Sequence, residues 1–284
     1  MTEWIDQAIV ETTEALRSAG LIVDDCQILS SANRLVLALE PCHAIAKVVP
    51  AEHAHELAAE LAVAGRVKVH GGPVERPDGR VEPHPHRSRT VAFSLWERLT
   101  ILGPAPDSDV CDAYYALRAC LDSFAGALPD FRAAIVRAMR VAHQQTALAT
   151  ADAQFLQRVL ADGLSSLSAF TWDNTVLHGD PHAGNLVRTA DGPRWLDFEA
   201  ACRGPVEWDL SALHDCSPHI SHNCELLFAL IRLRSACVVA WCASKPDPKH
   251  FELTALQHHL GTLRAKGVDH ARISVQAASA TLAM

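Results

Sequence analysis

Val176-Leu-His-Gly-Asp-Pro-His-Ala-Gly-Asn-Leu-Val187, followed by Trp195-Leu-Asp-Phe-Glu199, is the stretch from which the fold can be read. It holds Asp180, then Asn185, then Asp197, each beside or between short apolar runs with the look of strands. That layout can set one carboxylate on a substrate hydroxyl and two oxygen ligands on magnesium. Phosphoryl transfer from a nucleotide asks for those parts, because its chemistry is mostly positioning and charge neutralisation. Asp180 is the candidate catalytic base, taking the acceptor proton as the bond to phosphorus forms. Asn185 offers a neutral oxygen and Asp197 an anionic one, the hard donors that magnesium prefers. His178 reads as a structural brace of the loop, and His182 as a satisfied, partly buried histidine.

Working outward, the chain upstream of the motif is first strand-rich and then helical. Apolar spacing predicts a helix over 3–18, ended by Gly20. Strands are expected at 21–29, 35–39 and 44–49, with Ser30-Ser-Ala-Asn33 as a turn between the first two. Pro50 opens a helix over 51–64, which Gly65 is expected to stop. Two more strands are predicted at 67–70 and 90–95. From Asp107 onward the pattern is helical, near 107–126, 130–149, 151–168, 206–215, 222–243 and 249–266. A β-rich first third followed by a mostly helical remainder is α+β segregation rather than alternation.

Bulk properties narrow the function classes. The 284 residues can bury a sizeable core in two lobes. A formal charge of −8 argues against a nucleic-acid binder and suits a cationic substrate. The segment 226–242 is interrupted by Arg232 and Arg234, so no membrane span is expected. The N-terminal residues have no signal-peptide pattern. Nine scattered cysteines without a CxxC pair fit a reducing compartment, so the expectation is a cytoplasmic protein.

The two motifs resemble the protein-kinase catalytic loop and its Asp-Phe-Gly segment, written here as His178-Gly-Asp180 and Asp197-Phe-Glu199. In this form they are similar to the aminoglycoside phosphotransferase family, the small-molecule branch of the kinase-like fold. The resemblance runs from the first expected strand to Leu210 and is most specific over 176–209. It implies a two-lobed protein-kinase-like fold. Residues 1–97 would form the nucleotide-binding lobe, and residues 98–284 a helical lobe with catalytic loop, metal site and acceptor site.

The same resemblance makes Lys47, in Ala46-Lys-Val48, the lysine that reaches the nucleotide phosphates. The helix after it should supply a carboxylate to that lysine. Glu56 is the first choice because it is mid-helix in the 51–64 reading, with Glu60 second. Ser30 and Ser31 occupy the position of the kinase glycine-rich loop, which this chain lacks. Trp96 and Glu97 open the expected hinge, and Asp209, in Glu207-Trp-Asp209, braces the catalytic loop.

The implied activity is ATP- or GTP-dependent, magnesium-dependent phosphorylation of a hydroxylated, cationic small molecule, with an aminoglycoside or related amino sugar first. A metabolic kinase for another hydroxylated metabolite and a non-catalytic nucleotide-binding pseudokinase are the alternatives. A separate cluster, His214, Cys216, His219, His222 and Cys224, has zinc-capable donors but no familiar spacing, and reads better as polar loop residues.

Overall fold

The computed structural model describes residues 2–31, 34–144, 148–213, 216, 220, 222–245 and 250–265. In chain order the elements are α1 (Thr2–Ser18), β1 (Val23–Ser30), β2 (Leu35–Pro41), β3 (Ala44–Pro50), α2 (Ala54–Val69), β4 (His86–Arg87), β5 (Val91–Glu97), β6 (Gly103–Pro104) and α3 (Asp107–Leu121). There follow α4 (Arg132–Gln144), α5 (Thr150–Ser166), β7 (Thr175–Leu177), β8 (Leu186–Thr189), β9 (Gly192–Trp195), β10 (Cys202–Gly204), α6 (Val206–Leu210), α7 (Cys224–Ala243) and α8 (His250–Arg264). Compact packing groups them into two units, Met1–Leu128 with Pro181–Ala201, and Pro129–Asp180 with Cys202–Met284. This division by packing differs in kind from the functional boundary expected after residue 97.

The first unit is built on an antiparallel sheet in the order β1-β2-β3-β5-β4. Alternation along β3 decides what each face carries. Ala44, Ala46 and Val48 turn one way, into a core with Leu35, Leu37, Leu39, Val91, Phe93 and Leu95 that α1 covers through Ala8 and Leu16. Lys47 and Val49 therefore turn the other way, to the face where Val49 and Ala92 pack on Ala54 and Leu57 of α2. A second, three-stranded sheet, β6-β8-β9, belongs to the same unit.

Five strands are present as expected, but one is not the strand predicted. Residues 67–70 are the end of α2, and the remaining sheet position is taken by the short β4. Gly65 does not stop the helix. A Cβ there would meet nothing within 4 Å, so the glycine sits in an ordinary helical turn on an open side.

The second unit packs α4, α5, α7 and α8 around Phe131, Ile135, Leu156, Leu160, Leu230, Leu233 and Trp208. A two-stranded ribbon, β7 with β10, carries the start of the motif stretch. Among the described residues, Cys224–Ala243 is the one helix long and apolar enough by composition to cross a membrane. Most of it is buried against its neighbours, the pattern of a core helix.

Candidate active site

Lys47 is buried at 5% exposure, which is tolerable only because it is paired on two sides. Its Nζ donates to Glu60 Oε1 at 2.6 Å and to Glu75 Oε1 at 2.5 Å. The ammonium also lies 4.2 Å from the centre of the Trp96 ring. Burial alone would depress the lysine, but the Glu60 and Glu75 carboxylates outweigh it and hold Lys47 above its ordinary value. Glu60 is fully buried, and the pull of Lys47 and Arg34 overrides its own burial to lower its carboxyl. Burial wins at Glu75, which is raised despite Lys47.

The pairing corrects the expectation for Glu56. That residue is exposed and shares a contact with His53 at 3.0 Å. The reason is the length of α2. With Val69 rather than Ala64 as its end, mid-helix moves one turn along to Glu60. Glu60 lies in the buried stripe with Leu57, Leu61, Ala64 and Val67, as spacings of three and four require.

Glu75 was not singled out from sequence, and the backbone accounts for its position. After α2 the chain runs as an extended segment beside two partners. On one side Trp195 N–H donates to Pro73 O and Glu75 N–H to Trp195 O, at 2.8 and 2.9 Å. On the other, Asp78 N–H donates to Leu95 O and Glu97 N–H to Arg76 O, tying the segment to β5. Glu75 thus joins the large sheet to the β8–β9 hairpin. The same Oε1 that accepts from Lys47 accepts from the Asp197 N–H at 2.8 Å.

The register of that hairpin places Asn185 and Asp197 at the same end of it. Leu186 pairs with Trp195, so Asn185 faces Leu196, and the Leu196 N–H donates to Asn185 O at 2.8 Å. Both candidate ligands therefore flank one end of the hairpin. Asp197 has φ 63° and ψ 72°, a left-handed conformation that Asp tolerates better than most residues. One amide oxygen and one carboxylate fit magnesium, which keeps water and substrate phosphate in its remaining positions. Among the described residues no group of three or more His, Cys, Asp or Glu could hold a metal by itself.

Arg34, also unforeseen, completes the cluster. Its Nη1 and Nη2 donate to Glu60 at 2.5 and 3.2 Å, and Nη2 also pairs with Asp197 Oδ1. Glu199 lies 3.7 Å from its Nε.

Of the other residues picked out, Trp96 is fully buried and donates its ring N–H to Ser94 Oγ at 2.8 Å. Its ring supports Lys47 from within β5. Glu97 ends β5 and accepts from Lys68 at 3.2 Å. Ser30 and Ser31 are exposed at the end of β1, and the Ala32–Asn33 part of that turn lies outside the described residues.

The chain passes to the second unit's side of the motif between Pro181 and Asp180. There, Asp209 accepts the His178 N–H at 3.0 Å and the Gly179 N–H at 2.9 Å, the brace expected of it. His178 is fully buried, and its Nδ1 accepts the Asp180 N–H at 3.4 Å. Arg234 of α7 donates to Asp180 Oδ1 at 3.2 Å, to Gly179 O at 3.0 Å and to Trp208 O at 2.7 Å. Its guanidinium stacks 4.0 Å from the Trp208 ring. In the sequence Arg234 counted only as an interruption of an apolar segment; in the fold it holds the backbone and carboxylate of the catalytic candidate. His182 is exposed rather than partly buried, and caps the turn at Ala183–Asn185 by accepting the Gly184 N–H. In the 214–224 cluster, Cys224 Sγ lies 3.7 Å from His222 Nε2, whereas His214 and His219 lie outside the described residues.

A β-rich region with a lysine–glutamate pair, followed by a mostly helical part, is the α+β fold of protein-kinase-like small-molecule kinases, and solved structures agree. Amicoumacin kinase hAmiN, in complex with AMP-PNP, Ca2+ and Ami, matches with TM-score 0.70 at 10% identity, over 93% of this chain and 96% of that one. Choline kinase LicA from Streptococcus pneumoniae matches with TM-score 0.65 at 13% identity, over 91% and 98%. The GDP complex of aminoglycoside 2'-phosphotransferase-IIIa matches with TM-score 0.60 at 14% identity, over 88% and 97%. The chain belongs to the phosphotransferase enzyme family, whose model matches residues 27–223. No curated protein matches it by sequence.

Proposed function

We propose that the protein is a magnesium-dependent small-molecule O-phosphotransferase. It moves the γ-phosphoryl group of ATP, or of GTP, to a hydroxyl of an aminoglycoside or related amino-sugar compound. The observation that carries this reading is the buried Lys47–Glu60 pair, linked through Glu75 to the backbone of Asp197. Such a linked set fixes a phosphate-directed cation relative to a metal-directed carboxylate before any substrate arrives, which is where the catalytic advantage of these sites lies.

In this mechanism Lys47 aligns the nucleotide phosphates, and Trp96 and Glu75 keep its ammonium from turning away. Asn185 and Asp197 would hold Mg2+, which screens the phosphate oxygens when bound. Asp180 orients the acceptor hydroxyl and takes its proton, while Arg234 and the Asp209 brace keep its carboxylate and loop in one conformation. Ser30, Ser31, Glu97 and the rest of residues 1–97 serve the nucleotide, and residues 98–284 carry the catalytic loop, the metal site and the acceptor site. The aminoglycoside phosphotransferase and choline kinase among the similar structures support an acceptor class that combines a hydroxyl with a cationic nitrogen. An acidic chain of net charge −8 is compatible with that class.

The test is a coupled ATP-turnover screen with Mg2+ against aminoglycosides, amino sugars and amino alcohols, using Asp180→Ala as the blank. Turnover with one class, lost in the variant, is the expected result. Nucleotide binding without transfer to any member of the panel would favour a pseudokinase instead.

A further inference from the structure

Arg34 lies just before β2 and directly follows Ser30-Ser-Ala-Asn33 in the sequence, the stretch that the family resemblance sets in the position of the kinase glycine-rich phosphate loop. Its side chain is 9% exposed and is shared among Glu60, Asp197 and Glu199. Lys47 and Arg34 give this cluster +2, and Glu60, Glu75, Asp197 and Glu199 give −4, a formal balance of −2. That balance favours a divalent cation. Yet one oxygen of Asp197, the anionic candidate ligand, is already engaged by a guanidinium. A metal ion arriving alone must compete with Arg34 for that carboxylate.

A metal–nucleotide complex changes the competition. Its phosphate oxygens offer a guanidinium the bidentate partner that suits it best, so Arg34 can leave Asp197 without losing charge compensation. Glu60 remains as the anchor that keeps the guanidinium at the site. We propose that Arg34 is a phosphate-binding residue of the nucleotide site. Its guanidinium pairs with Asp197, and it exchanges that carboxylate for phosphate oxygens when metal and nucleotide enter together. This rests on the phosphotransferase reading and deepens it. A cationic side chain takes over the grip that backbone N–H groups of a glycine-rich loop would provide. Metal and nucleotide then bind with positive cooperativity.

The experiment measures binding by calorimetry on the full-length protein, with MnCl2 alone and with AMP-PNP plus Mg2+, for wild type, Arg34→Gln and Arg34→Lys. Arg34→Gln is expected to weaken Mg·AMP-PNP about 10- to 100-fold, the range for losing a charge-assisted pair. Mn2+ alone should bind it at least as tightly as it binds wild type. Arg34→Lys, which keeps the charge but not the fork, should fall between, and carries the test if the glutamine variant does not fold. Unchanged AMP-PNP affinity overturns the proposal. So does a parallel loss of both affinities, the mark of a purely structural cross-link. Failure of the wild type to bind Mg·AMP-PNP would instead remove the phosphotransferase reading itself, and needs no variant to be seen.

Discussion

Glu60→Gln is the sharpest perturbation of the site, because Glu60 is the carboxylate that Lys47 and Arg34 share. The substitution keeps the shape and one acceptor oxygen but removes the charge. Three close contacts are affected, at 2.6 Å to Lys47 and at 2.5 and 3.2 Å to Arg34. Breaking a buried ion pair outright costs about 3–5 kcal/mol, mostly from stranding the surviving charge. Here neither cation is stranded, since Lys47 keeps Glu75 at 2.5 Å and Arg34 keeps Asp197. The variant also no longer buries a carboxylate. The expected loss therefore lies below that range, at about 2 kcal/mol. With a urea slope of about 2–3 kcal/mol/M, the unfolding midpoint should fall by roughly 1 M at unchanged slope. Glu56→Gln is the matched control on the same helix. Its side chain is half exposed, so its effect should stay within about 0.5 kcal/mol. Equal midpoints for the two variants would refute the assignment of Glu60 as the buried hub.

Glu11 on α1 gives a pH-dependent prediction. Hydrogen bonds from the Thr90 N–H, and further ones from Gln7 and the Thr90 hydroxyl, outweigh its burial and hold its carboxyl at about 2, against an ordinary 4.5. A carboxyl lowered on folding lends stability that is fully present above about 4.5 and is lost as pH falls toward 2. Glu11→Gln should therefore destabilise the protein at neutral pH and flatten the acid limb of its stability profile; an unchanged acid limb would contradict the assignment. Asp209→Ala leaves the buried His178 and Gly179 N–H groups without their acceptor. We expect a loss of about 2–5 kcal/mol, with faster amide exchange at 178–179, and Asp209→Asn should recover part of it. Native exchange rates at those amides in Asp209→Ala would count against the brace.

The parts of this protein that could be read from its sequence are those whose cause is local. The short apolar runs of β2, β3 and β5, the three-to-four spacing of α1 and the long apolar run of α7 report burial within a few residues. The motif stretch could be read because Asp180, Asn185 and Asp197 sit close along the chain, on strand ends that fix their spacing. Gly65 misled because a glycine's helix-breaking cost is small enough for packing to override. That one error moved the middle of α2 and with it the choice of Glu56 over Glu60. A signal for Glu60 was present, since Leu57, Leu61 and Ala64 lie three before, one after and four after it, placing it within an apolar stripe.

For Arg34 and Glu75 no comparable signal exists. They meet Asp197 across 163 and 122 residues of chain, and in the sequence each is indistinguishable from a solvated surface charge. Their burial is a consequence of the site rather than of their own neighbourhoods. Once Lys47 is turned inward by strand alternation, an isolated buried ammonium would be untenable, so carboxylates must close around it. Those carboxylates then require a further cation. The residues proposed to perform the chemistry can thus be local in sequence, whereas Arg34 and Glu75, which balance their charges, are selected by three-dimensional charge balance and become visible only in the fold.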